Sequence, residues 1–156
     1  MAEWQAVLDS PLGRLGLRLD ATGALTGIDF LPSGTPLRAP CSPAARRACD
    51  ALEAYFKDPR RVPPVPLRPR GSPFQRRVWA ALAEIPPGEC RHYGELATRL
   101  GSAPRAVGQA CRRNPVPILI PCHRVVAASG EGGYAGAREG PLLAIKRWLL
   151  AHERQS

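Results

Sequence analysis

Asn114-Pro115-Val116-Pro117-Ile118-Leu119-Ile120-Pro121-Cys122-His123-Arg124-Val125-Val126 places a thiol directly beside an imidazole. A proline fixes the backbone ahead of the pair. An arginine and two β-branched valines follow it. A cysteine attacks as thiolate, and a neighbouring histidine or cationic environment is what makes thiolate accessible near neutral pH. Read as the end of a strand, the two side chains need not touch, because successive strand residues point to opposite faces. Cooperation between them then needs a bent backbone or a bridging water. Taken alone, the pair also reads as a buried cysteine beside a core-edge histidine.

Outward from this stretch the second half of the chain reads as mostly helical. Ser72 is an N-cap with Pro73 at the first helical position, opening a helix to about Glu84. Val78, Trp79 and Leu82 form its buried face. Ile85-Pro86-Pro87-Gly88 is a turn. Gly94–Leu100 and Arg105–Arg113 read as two short helices around Gly101-Ser102-Ala103-Pro104, the layout of a helix-turn-helix. Arg105, Arg112 and Arg113 make the second of these basic. Leu142–His152 reads as a closing amphipathic helix with Ile145, Trp148 and Leu149 inward.

The first half has a different pattern. Trp4–Leu8 and Leu15–Leu19 alternate around Asp9-Ser10-Pro11-Leu12-Gly13, a strand–turn–strand signal. Leu25–Phe30 reads as a third strand, Leu31–Pro43 as loop, and Ala44–Lys57 as an amphipathic helix with Ala45, Ala48, Leu52, Tyr55 and Phe56 on one side. Pro59–Pro69 holds five prolines in eleven residues, cannot continue a helix and favours extended backbone. The predicted architecture is α/β. Residues 1–69 form a small sheet-plus-helix domain with a Pro-rich connection, and residues 70–156 form a mostly helical domain.

At 156 residues and 44% hydrophobic content, the chain can bury one ordinary core or two small ones. The formal net charge is +9. Residues 1–70 carry ten basic and seven acidic groups, and residues 71–156 carry twelve and six. Two thirds of the excess therefore sits on the half that holds Cys122, which suggests a polyanionic partner, most commonly nucleic acid. Cys41, Cys49, Cys90, Cys111 and Cys122 are odd in number and contain no C-x-x-C pair. The N-terminus shows no signal-peptide pattern, and no stretch approaches the roughly 18 apolar residues of a membrane span. A reducing, cytoplasmic compartment fits this usage. Cys90 and His92 have ligand-like spacing, but nothing nearby completes a metal set of four, so no metal is expected.

The opening stretch closely resembles the active-site signature of the O6-alkylguanine-DNA alkyltransferases, the methylated-DNA–protein-cysteine methyltransferases. Phe74-Gln75-Arg76-Arg77-Val78-Trp79, Ile85-Pro86-Pro87-Gly88, Tyr93-Gly94-Glu95-Leu96-Ala97, Arg105-Ala106-Val107-Gly108 and Trp148-Leu149-Leu150-Ala151-His152-Glu153 resemble further motifs of that family, in its order. The resemblance covers residues 72 to 153 and is only architectural before residue 70. It implies a ribonuclease-H-like first domain of structural role. Some relatives bind zinc through that domain; with no Cys or His before Cys41, that site is not carried over.

The resemblance further implies a monomer that acts on double-stranded DNA containing O6-alkylguanine, without cofactor, and takes the alkyl group onto Cys122. Sulfur attack on an sp³ carbon gives a stable thioether, so each molecule acts once. His123 resembles the general base, acting through a water, and Glu153 the carboxylate that orients it. Asn114 resembles the residue that holds the turn around the cysteine, and Tyr93 the phenol that donates to the guanine ring. The carbonyls of Cys122 and Val125 and the amide of Ala135 match positions that read the guanine edge. Pro117 and Tyr134 match the pocket wall. Arg105 matches the residue that fills the space left by a flipped-out nucleotide, although Pro104 directly precedes it and the turn is about two residues shorter than the family pattern. Ala106, Gly108 and Ala110 suit close approach to a minor groove, with Arg112 and Arg113 beside them. Three other readings stay open on sequence: a lesion-binding relative without transfer, against which Cys122 stands; a cysteine hydrolase, which would turn over; and a transcription regulator, for which no effector domain is evident.

Overall fold

The computed structural model describes residues 4–127 and 140–155. Among these it is mixed α/β, with five α-helices, a three-stranded antiparallel sheet and a two-stranded parallel ladder. The chain divides into two compact units, Met1–Arg70 and Gly71–Ser156.

In the first unit, β1 (Ala6–Leu8), β2 (Arg14–Leu19) and β3 (Leu25–Leu31) form a meander in sequence order. Leu15 and Leu17 alternate onto one face and are fully buried with Ala6, Leu25 and Ile28. Helix α1 (Pro43–Lys57) adds Ala45, Ala48, Leu52 and Tyr55 to this core. Ser42 caps α1, its side chain accepting from the Ala45 amide at 3.1 Å. At Gly16 a Cβ would meet the Trp4 indole at 2.5 Å, so glycine admits the ring. Trp4 Nε1 donates to Asp29 Oδ2 at 2.7 Å, and Arg18 grips both oxygens of the same carboxylate. The Pro-rich segment is not connection throughout. The Leu25 amide donates to the Pro66 carbonyl at 2.8 Å and the Arg68 amide to the Leu25 carbonyl at 2.9 Å. Pro66 supplies the acceptor here and Arg68, not a proline, supplies the donor, so the segment adds a parallel bridge to β3.

The second unit opens with α2 (Pro73–Ala83), started by a reciprocal box between Ser72 and Gln75. It buries Val78, Trp79, Ala81 and Leu82. Trp79 Nε1 donates to the Ala110 carbonyl at 2.8 Å, tying α2 to the fourth helix. Helix α3 (Tyr93–Leu100) ends at Gly101, whose φ of 66° is the left-handed cap glycine tolerates. Helix α4 (Pro104–Arg112) follows after three residues. A short strand β4 (Arg91–His92) pairs in parallel with β5 (Val125–Val126), an element the mostly helical reading of this half omitted.

Helix α5 (Pro141–Arg154) is turned from its expected orientation. Leu149 is buried as predicted, but Ile145 and Trp148 lie at the flank. The inward stripe is Leu143, Lys146, Leu149, Leu150 and Glu153. Apolar content pointed to the wrong residues because two charged side chains occupy the buried face.

Candidate active site

The chain after α4 is held by one side chain. Asn114 Oδ1 accepts from the Val116 amide at 2.9 Å, and its Nδ2 donates to the Ile120 carbonyl at 2.8 Å. Between these anchors the Leu119 amide donates to the Pro117 carbonyl at 2.9 Å, closing a three-residue turn about Ile118. Ile118 has φ of 76° and is buried. A β-branched residue in that region is a backbone outlier that costs on the order of 1–3 kcal/mol and persists only where the surroundings impose it. A second tight turn follows about Pro121, with φ −82° and ψ 67°, and the Cys122 amide donates to Ile120 O at 2.8 Å. The Ile120 carbonyl therefore accepts from both Asn114 and Cys122.

Cys122–Arg124 then forms a single 3-10 turn, not the end of a strand. The bent backbone that cooperation between the two residues needs is present. The inverse γ geometry at Pro121 turns the chain before the thiol, and extended pairing starts only at Val125. Cys122, His123 and Arg124 are all buried.

His123 Nε2 and Glu153 Oε2 lie 2.6 Å apart, both side chains essentially without solvent exposure. Arg124 grips the same carboxylate with Nε to Oε1 at 2.9 Å and Nη2 to Oε2 at 2.8 Å. Its Nη1 donates to the Ile85 carbonyl at 2.6 Å. With Arg124 on both oxygens Glu153 is the acceptor, so His123 Nε2 carries the proton and Nδ1 presents its lone pair. Nδ1 is buried and has no partner among the described residues. Burial holds the imidazole below its ordinary pKa of 6.5, and the Glu153 hydrogen bond only partly offsets this. His123 is therefore neutral, with an Nδ1 lone pair that no described residue uses.

Tyr93 starts α3 and is half-buried; its ring lies 4.0 Å from where a Cβ on Gly108 would sit. Burial first, then the nearby Cys111 and Cys122 thiols, push its phenol up to about 12. It is a hydrogen-bond donor at any physiological pH. Cys111, on α4 one turn beyond Gly108, is likewise pushed up to about 12 by burial and by Cys122. Arg105 and Arg112 are exposed on α4, Arg113 is exposed at the cap just past its end, and Ala106 and Gly108 between them are partly exposed. Pro117 and Val125 are buried beside the turn. Tyr134 and Ala135 lie outside the described residues. Two residues escaped the sequence reading of the site. Arg124 stands in the quoted stretch itself. Lys146 is seven residues before Glu153 and so on the same helix face, a spacing that was legible.

Residues 73–155 match the family model described as "6-O-methylguanine DNA methyltransferase, DNA binding domain". A methylated-DNA–protein-cysteine methyltransferase of Methanosarcina acetivorans is 41% identical over 158 residues, covering 96% of this chain and 97% of that protein. The crystal structure of Mycobacterium tuberculosis O6-methylguanine methyltransferase superposes with a TM-score of 0.80 at 40% identity, covering 96% of this chain and 91% of that one. A crystal structure of the M. tuberculosis protein in complex with DNA superposes with a TM-score of 0.78 at 39% identity, covering 96% and 91%. The chain belongs to the methylated-DNA–protein-cysteine methyltransferase family.

Proposed function

We propose that this protein repairs DNA by moving the alkyl group of O6-alkylguanine onto Cys122, once per molecule. The observation that carries this reading is the buried His123–Glu153 hydrogen bond at 2.6 Å, which leaves Nδ1 as a lone pair one residue from the thiol. Through a water, His123 Nδ1 takes the Cys122 proton. The thiolate attacks the alkyl carbon, a C–S bond forms and the carbon–O6 bond breaks. The departing purine needs a proton at its ring, and Tyr93, kept protonated by burial, is read as the group that shares one. Val125 and Cys122 carbonyls read the guanine edge, and Pro117 walls the pocket. The product thioether has no hydrolytic exit. Incubation with methylated duplex DNA followed by peptide mass mapping tests this; a methylated Cys122 peptide is expected, and catalytic turnover without a protein adduct overturns it.

The α3–α4 pair is read as a helix-turn-helix that offers α4 to the minor groove, with no cofactor and a monomeric protein. The first unit, a meander with one helix, is read as the ribonuclease-H-like structural domain. Residues 70–156 are read as the DNA-binding and catalytic domain, and the compartment as cytoplasmic. The lesion must leave the stack to reach a buried thiol. Arg105, exposed at the second position of α4, is read as the residue that fills the gap. Arg105→Ala is expected to slow repair of duplex DNA far more than reaction with free O6-benzylguanine, which needs no flipping. Equal loss on both substrates would return Arg105 to a role in the fold.

If Arg112 and Arg113 touch phosphates, DNA affinity falls steeply with salt, log K dropping about 0.9 per neutralised phosphate against log salt. Replacing either by alanine lowers that slope by about one phosphate. Titrations at several salt concentrations decide it, and an unchanged slope for both variants excludes the end of α4 from the interface.

A further inference from the structure

Arg124 ends the short turn that carries the thiol and the imidazole, and it is buried. Its guanidinium meets three acceptors. Nε donates to Glu153 Oε1 at 2.9 Å, Nη2 to Glu153 Oε2 at 2.8 Å, and Nη1 to the Ile85 carbonyl at 2.6 Å. The third bond anchors the fork on the chain just past α2, where the Ile85 amide donates to the Leu82 carbonyl. His123 Nε2 shares Oε2 with the arginine. A buried carboxyl favours its neutral form unless a cation or donors balance the charge. A neutral Glu153 would donate its proton to Nε2, and the ring's own proton would then sit on Nδ1. Such a ring cannot take a proton from Cys122. Arg124 opposes that form. A protonated carboxyl oxygen is a poor acceptor, so a proton on either oxygen weakens a guanidinium bond, and the guanidinium cannot give up a proton in exchange.

We infer that Arg124 is a positioning residue that, seated on both oxygens of Glu153, keeps the carboxylate ionised and so leaves His123 Nδ1 bare to receive the Cys122 proton. This rests on the reading of His123 as the base for Cys122. Arg124 acts through Glu153 and not on the substrate. Among the described residues, the charges acting on the imidazole are those of Glu153, Arg124 and Lys146. Of the helices packed on the turn, α5 supplies Glu153 and Lys146, and the charged residues of α2, Arg76 and Arg77, are exposed. Tyr93 on α3 and Cys111 on α4, both pushed up to about 12, stay neutral across the range tested below. Lys146, whose Nζ donates to the Val125 carbonyl at 2.9 Å, is the same in every variant compared, so differences among them report Arg124.

The test follows the ring nitrogens of His123 by nitrogen NMR in the full chain, isotopically labelled at histidine. Three histidines contribute, and comparison with His123→Ala assigns the signals. The wild type should show a proton on Nε2 and a bare Nδ1 at neutral pH. The pH at which Nδ1 gains a proton should be lowest in the wild type, higher in Arg124→Lys and highest in Arg124→Met. From wild type to Arg124→Met the rise is expected at about one pH unit or more, the scale on which one adjacent charge acts. Lysine falls between because one ammonium does not grip both oxygens as a fork does and can lose its proton when buried. Single-turnover reaction with free O6-benzylguanine should follow the same order. Arg124→Met should be about tenfold slower one unit below its own midpoint and recover as the pH rises. An arginine that only supports the fold would lower the rate at every pH and leave the Nδ1 midpoint in place. An unchanged midpoint in Arg124→Met overturns the inference, and so does a wild type with its proton on Nδ1. If Arg124→Met does not fold, Arg124→Lys decides: a midpoint above the wild type supports the inference, and an equal one overturns it. Failure of the acceptor reading is separate: DNA-derived methyl would then map to a cysteine other than Cys122, whichever nitrogen of His123 holds the proton.

Discussion

Cys122→Ser will reduce methyl transfer to background while leaving DNA affinity within about twofold, the scale of substitutions that remove no interface contact. The hydroxyl is nearly the same size as the thiol and suits the buried turn, so the fold persists. It ionises far less readily than sulfur and is a poor nucleophile towards an alkyl carbon. The other four cysteines bracket the test. Cys41 is exposed and Cys90 half-exposed, so access alone does not select the acceptor. Cys111 is nearby and buried, but its thiol is pushed up to about 12, leaving almost no thiolate at pH 7. Serine or alanine at each of these four is expected to leave the acceptor reaction in place. Single-turnover transfer of labelled methyl with peptide mapping reads all five variants. Label on Cys90 or Cys111 in Cys122→Ser would end the assignment.

What the sequence made legible follows the range of the interactions involved. The Ser72 cap, the proline at the start of α2 and Gly101 in the turn after α3 act over three or four residues, and their elements sit within a residue or two of expectation. Glu153 and His123 are thirty residues apart, and only the family resemblance named them together; the structure joins them at 2.6 Å. At Cys122 the sequence left a strand end and a bent backbone both open. The geometry of the turn is imposed by Asn114 bonds to Val116 and Ile120 and by a positive φ at Ile118, which no propensity signals. Lys146 and Arg124 were passed over because charged residues are rarely fully buried. On α5 that expectation rotated the helix towards Ile145 and Trp148 and hid the ammonium within the site. The parallel bridge of Leu67 to Leu25 was lost in a run of prolines that reads as pure spacer.

If His123 and Glu153 act as one relay, removing either slows transfer at neutral pH by about 100-fold or more, the usual contribution of a positioned base. The two losses will not add, because each variant breaks the same unit. The structure changes what one of these substitutions means. Glu153 also balances Arg124 through two hydrogen bonds, so Glu153→Gln strips a buried guanidinium of its counter-charge. Breaking a buried pair costs about 3–5 kcal/mol, and Glu153→Gln should therefore melt earlier than His123→Ala. Rates must be compared below both transitions. The pH dependence carries a sign. Burial depresses the imidazole below 6.5, so the unfolded chain binds this proton more readily than the folded one. Above about 6.5 the His123 contribution to stability is fully present. It is lost as pH falls from there towards the depressed folded value, and His123→Ala should flatten that limb. For the reaction, the same depression keeps Nδ1 unprotonated into mildly acid solution, so wild-type transfer should hold its rate below pH 6.5. Raising the pH should partly rescue both variants by supplying thiolate without the base. Single-turnover rates against pH for His123→Ala, Glu153→Gln and the double variant provide the measurement. Fully additive losses, or a wild-type profile in Glu153→Gln, would confine Glu153 to holding Arg124 and leave His123 as a base without a relay.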